Sequence, residues 1–110
     1  MTDPVRLPWP SAIRQGSDLL GEVVHVDRFG NLVTSIRALE LDTLGPEDSL
    51  VVAVEGREVG GIVGCYADAK PGAMGAILGS SNRLEIFARE GSAQAKTGAS
   101  RGAQVSVRIR

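Results

Sequence analysis

The chain has few aromatic residues: one tryptophan, one tyrosine and two phenylalanines among 110 residues. Cysteine and histidine occur once each, as Cys65 and His25. One cysteine excludes an internal disulfide framework and a multi-cysteine metal site, and one histidine excludes paired-histidine metal chemistry. No apolar run approaches the roughly 18–20 residues with which a helix spans a bilayer. The opening Met-Thr-Asp-Pro-Val-Arg-Leu-Pro lacks the apolar stretch of a signal peptide, so a cytoplasmic location is expected. Net charge is also scarce, with 12 Lys+Arg against 13 Asp+Glu and a formal charge of -1. Neither nucleic acid nor a membrane surface is therefore expected as a partner.

Hydrophobic residues make up 43% and charged residues 23%, enough for one globular core in a chain of single-domain length. Fourteen glycines and five prolines are spread along the chain, not pooled in one linker. Between them lie short Val- and Ile-rich runs that read as strands bounded by turns: 21–27, 32–36, 49–54, 58–66, 76–78, 83–87 and 104–109. In the first, alternation puts Val24 and Val26 on one face and Val23 and His25 on the other. Residues 36–41 are too short for more than a turn or two of helix. Residues 92–96 make a better short helix, with Ser92 as cap and Gly98 as stop. Strands do not alternate with long helices, which excludes a doubly wound nucleotide fold. The expectation is all-β: a small β-barrel of about seven short strands with one short helix over residues 20–110. Residues 1–19, with Pro4, Pro8 and Pro10, read as an extended N-terminal arm or interdomain linker.

Residue by residue, the chemistry is sparse. His25 reads as a strand histidine, packed or half-solvated. Cys65, in Gly-Gly-Ile-Val-Gly-Cys-Tyr, reads as a buried core thiol. The glycines at 60, 61 and 64 fit close strand packing or a bulge better than a phosphate loop. Ser80 and Ser81 lack the setting of a nucleophile. Taken alone, Asp27 reads as a turn cap, Phe29 as a core plug and Asn31 as a turn residue. No catalytic residue, metal ligand or bound cofactor is expected in this chain.

Two stretches carry more information. Gly-Glu-Val-Val-His-Val-Asp-Arg-Phe-Gly-Asn-Leu-Val-Thr-Ser-Ile (21–36) resembles the segment opening the C-terminal domain of S-adenosylmethionine (SAM) hydroxide adenosyltransferases, the SAM hydrolases related to bacterial chlorinase and fluorinase. Gly-Ser-Ser-Asn-Arg-Leu-Glu-Ile-Phe-Ala-Arg-Glu-Gly-Ser-Ala (79–93) resembles that domain's second signature. Tyr66-Ala-Asp68 lies between them, and Leu-Pro-Trp-Pro at 7–10 is similar to the family's interdomain linker.

The resemblance implies a two-domain enzyme that assembles as a homotrimer. SAM, the substrate, lies between the N-terminal domain of one subunit and the C-terminal β-barrel of its neighbour. The water-activating Asp/Arg/His set belongs to the N-terminal domain, so this chain alone is expected to be inactive. Asp27 and Asn31 match positions at the methionine amino group, and Ser80 and Ser81 match positions at its carboxylate. Phe29 and Tyr66 match aromatic positions beside the adenine, and the backbone around Arg89 and Glu90 matches the segment at the adenine edge. Ser35 and Asn82 stand where the family usually has asparagine and glycine, and Phe87-Ala88-Arg89 departs from its usual pattern near the adenine. Ser81 stands where halogenating relatives carry arginine, which points to water as nucleophile. The alternative is a stand-alone non-catalytic nucleoside-binding or oligomerisation module.

Overall fold

Short runs of β-branched residues, each stopped by glycine or a polar turn, set the architecture. The computed structural model describes residues 12–79 and 82–109. Among them run eight strands: β1 (Ile13–Gln15), β2 (Asp18–Val26), β3 (Leu32–Arg37), β4 (Leu50–Val54), β5 (Arg57–Gly60), β6 (Met74–Leu78), β7 (Arg83–Ala88) and β8 (Gln104–Ile109). All pair antiparallel in the order β5-β4-β8-β2-β3-β7-β6, with β1 against β2. The two ends of this path nearly meet. After β5 the chain runs beside β6, where Val63 N–H donates to Ala76 C=O at 2.8 Å and Ala76 N–H donates to Gly61 C=O at 3.3 Å. The result is a nearly closed antiparallel β-barrel. Two short helices, α1 (Ala38–Asp42) and α2 (Ala93–Thr97), lie in the connections, and no helix among the described residues is long and apolar enough to cross a membrane.

The long strand β2 makes the barrel's corner. Leu19 to Glu22 pair with β8, whereas Val23, His25 and Val26 pair with β3. A register shift between Val23 and His25 marks the bend, as bulges do where a strand passes from one sheet to another. This bulge breaks the strict alternation expected for the strand: Val23 and Val24 are both buried, and His25 is exposed. β2 also begins earlier than the expected boundary at residue 20, because Ile13, Arg14 and Gln15 pair with Leu20, Leu19 and Asp18. Residues 1–11 of the expected arm lie outside the described residues.

The interior is aliphatic. Leu32, Ile36, Leu50, Val52, Leu84, Ile86, Val105 and Val107 are fully buried in one cluster, and β4 is buried along its whole length. Among the described residues two buried hydroxyls interrupt it, and both are satisfied. Thr34 Oγ1 donates to Leu84 C=O at 2.8 Å, where the β3–β7 ladder slips, and Ser35 Oγ accepts from Glu22 N–H at 3.1 Å.

Three local expectations are corrected. The strand expected over 58–66 ends at Gly60, whose φ of 126° suits glycine alone, and Tyr66–Asp68 form a 3₁₀ turn. Cys65, just before that turn, is exposed and not a core thiol, because the chain has already left the sheet. Helix also forms at α1 besides α2, capped by Glu40, whose Oε1 accepts from Arg37 N–H at 2.8 Å.

Candidate functional site

Alternation along β7 divides its side chains between two environments. Leu84 and Ile86 point into the barrel, so Glu85 and Phe87 stand on its outer face. There Phe87 packs with Ile77 and Ala69 in a small cluster beneath the 61–73 connection. Tyr66 meets it edge-on, with centroids 4.8 Å apart and planes at 87°, the arrangement that aromatic quadrupoles favour.

Opposite stands the turn between β2 and β3. Asp27 Oδ1 accepts from Phe29 N–H at 2.8 Å and from Asn31 N–H at 3.0 Å, so one short side chain shapes the whole turn. The backbone repeats the closure, with Asp27 N–H donating to Asn31 C=O and Gly30 N–H to Asp27 C=O. Gly30 has φ 84°, and a Cβ there would collide with Ser92 Oγ, so the turn seats directly on the cap of α2. Gln94 N–H donates to Gly30 C=O at 2.9 Å, and Ser92 Oγ accepts from Ala95 N–H at 3.1 Å. Phe29 is thereby held out at 68% exposure, which overturns the core-plug reading of its ring.

Between these walls opens a cleft of about 330 Å³, lined by Phe29, Asn31, Tyr66, Phe87 and residues 88–91. Its size falls in the range of small-molecule sites. Three of the chain's four aromatic residues meet in this one cleft. At one side the charge is negative. Burial, then the nearby Asp27, push the Glu85 carboxyl above the usual carboxylate range, and burial, then Glu85 and Asp27, raise the Tyr66 phenol.

The structure therefore brings together Asp27, Phe29, Asn31, Tyr66, Arg89 and Glu90 from three distant segments. Ser80 and Ser81 lie outside the described residues. Next to them, Asn82 N–H donates to Gly79 C=O at 3.0 Å. Asn82 has φ 62°, a conformation asparagine tolerates better than most residues. Glu90 also has φ 62°, which re-aims the chain beside the cleft. Both main-chain groups of Arg89 are already used, the N–H by Ala73 C=O and the C=O by Gly72 N–H, each at 2.9 Å. Phe87 lines the cleft although the motifs give it no role, and Glu85 stands beside it on the same outer face. Period-two alternation in 83–87 carried the signal, since it separates them from Leu84 and Ile86.

The fold is a small antiparallel β-barrel domain with an aromatic cleft on its outer face. Residues 21–106 match the SAM hydroxide adenosyltransferase C-terminal domain, and the chain belongs to that family. Among solved structures, an uncharacterized conserved protein from Thermotoga maritima is similar with TM-score 0.78 and 25% identity over 94% of this chain and 40% of that one. A conserved hypothetical protein from Thermus thermophilus is similar with TM-score 0.68 and 35% identity over 96% of this chain and 39% of that one. The chain thus spans about two fifths of the length of those proteins. Comparison with curated proteins gives no match.

Proposed function

We propose that this domain supplies the adenine and methionine side of a SAM hydroxide adenosyltransferase site shared between subunits. The enzyme's reaction is SAM plus water giving adenosine, methionine and a proton, with hydroxide attacking the ribose 5′ carbon and the sulfonium leaving as a thioether. The observation that carries this reading is the convergence of Phe29, Tyr66 and Phe87 on one open cleft beside Asp27. A purine face needs aromatic walls, each base stack contributing roughly 1–3 kcal/mol. An ammonium needs anionic and carbonyl oxygens; Asp27 Oδ2 takes neither of the turn's hydrogen bonds, and Asn31 offers an amide. Ser80 and Ser81 hold the methionine carboxylate, and Glu90 with Arg89 borders the adenine edge. The water-activating groups come from the N-terminal domain of a neighbouring subunit in a cytoplasmic homotrimer, and no cofactor takes part.

Titration of the chain with adenosine, methionine and SAM, followed by amide NMR, tests this reading. Adenosine and SAM bind in the millimolar range, because half of the site is missing, and shift residues 27–31, 66–68 and 83–91 together. Asp27→Asn keeps the Oδ1 acceptor of the turn but loses the charge, so it weakens SAM and methionine and spares adenosine. The chain alone releases no adenosine from SAM, and adding the family's N-terminal domain in trans restores release. Nucleosides that shift none of these amides would sink the proposal. Nucleoside binding without restored hydrolysis would favour a non-catalytic binding module.

A further inference from the structure

The Tyr66 wall of the cleft stands on a segment outside the barrel's sheet. After Gly60 the chain leaves the sheet except for the Ile62–Ala76 bridge, turns through Tyr66–Asp68, and rejoins at β6. A 3₁₀ turn this short leaves carbonyls at its C-terminal end without partners of its own. Those of Ala67 and Ala69 both accept from one guanidinium: Arg89 Nη1 donates at 3.3 Å and 2.8 Å respectively. The same residue's main chain bonds Gly72 and Ala73, so Arg89 fastens the segment at four points. At the turn's other end, Asp68 Oδ2 accepts from Gly64 N–H and Cys65 N–H at 3.2 and 3.3 Å. Arg89 thus lies at the edge of the cleft, with its charged head committed to the loop that carries Tyr66.

We infer that Arg89 is a positioning residue: its guanidinium fixes the 66–69 turn so that Tyr66 stands edge-on to Phe87 as one wall of the nucleoside site. This deepens the function proposed above and rests on it. Charge-assisted donors to two carbonyls are roughly twice as strong as neutral ones, and the planar guanidinium fixes the directions of the two Nη1 hydrogens. Lysine retains the charge but not the fixed donor directions, and methionine fills similar space without donors.

The test uses the 110-residue chain, whose one tyrosine gives resolved ring signals. Contacts between the Tyr66 and Phe87 rings are followed by nuclear Overhauser effects, and adenosine affinity by titration. In Arg89→Met the inter-ring contacts fade and adenosine binds about tenfold more weakly, equivalent to about 1.4 kcal/mol. The amides of β4 and β8, remote from the cleft, keep their positions, and Arg89→Lys recovers part of both effects. Unchanged inter-ring contacts in Arg89→Met would overturn the inference. So would lost contacts with full adenosine affinity, or collapse of the β4 and β8 pattern, which would make Arg89 a general stability residue. If the unsubstituted chain binds no adenosine, the nucleoside reading falls, while the inter-ring contacts still decide whether Arg89 sets the ring.

Discussion

The two faces of β7 are built by the same six residues and serve opposite ends. Inward, Leu84 and Ile86 are sealed among aliphatic side chains, where close packing defines one state and leaves no room for a ligand. Outward, Phe87 faces a smaller cluster and an open cleft with Glu85 beside it, and polar and aromatic surface stays available. The strand's rigidity is common to both, so the outer face inherits its precision from the inner one. A site on such a face is placed by the core without being part of it. Substitutions inside should therefore cost the fold, and those outside should cost recognition.

The largest effect belongs to the inside. Ile86 is fully buried and pairs in register with Leu32 and Ala76. Ile86→Ala removes three carbons from a close-packed cluster and should lower stability by about 2–5 kcal/mol. For a small domain that is a large share of the total. Urea denaturation measures it, and a loss below about 1 kcal/mol would show that the interior is not the determinant.

Next comes Gly30, which sits between the two classes. Alanine there would need φ near 84° and would push Ser92 off the cap of α2. The expected cost is about 1–3 kcal/mol, with nucleoside affinity falling as Phe29 loses its seat. If Gly30→Ala lowers stability but leaves affinity intact, the Phe29 turn and the cleft are independent.

The inner face was legible from the sequence and the outer one only in part, for a physical reason. Val- and Ile-rich runs and glycine stops fix the strands because burial and turn geometry act locally. These signals mark seven of the strands, although the run at 58–66 overshoots β5, while β1, a three-residue exposed strand, gives no apolar signal. Asp27, Phe29 and Asn31 were marked by family motif, since a turn residue and a ligand-binding one look alike in isolation. Cys65 goes the other way: its apolar neighbours suggest burial, but β5 ends at Gly60, with φ 126°, and the thiol is exposed. Alternation puts Glu85 on the outer face, but nothing local marks its raised carboxyl, which arises from burial and from Asp27 fifty-eight positions earlier in the chain.

Tyr66→Ala sharpens the contrast. At 48% exposure the ring contributes little burial, and its edge contact with Phe87 is of a kind worth about 0.5–1.5 kcal/mol. Stability should fall by about that much, and adenosine affinity by about tenfold with the loss of one wall. Thermal unfolding and titration on the same sample separate the two. A variant that unfolds would place the ring in the core and return the outer face to a structural role.

The smallest effect is the most specific to the outer face. Burial and Asp27 raise the Glu85 carboxyl above its ordinary range, so the folded chain holds that proton more tightly than the unfolded one. The sign follows from linkage. Below the carboxylate range both states are protonated and there is no penalty. As pH rises from the unfolded value through the raised folded value, ionisation costs the folded state, and above it the whole penalty is present. Glu85→Gln should thus stabilise the domain at neutral pH and do nothing at pH 3. Because the carboxylate is only partly buried, screening keeps the gain small, no more than about 2 °C in Tm. The comparison of the two pH values, more than the size of the shift, makes the test. A gain of equal size at both would mean that the glutamine packs better and that Asp27 and Glu85 do not feel each other. A gain at neutral pH that disappears in Asp27→Asn would place the two carboxylates in one electrostatic unit on the outer face, beside the aromatic cleft.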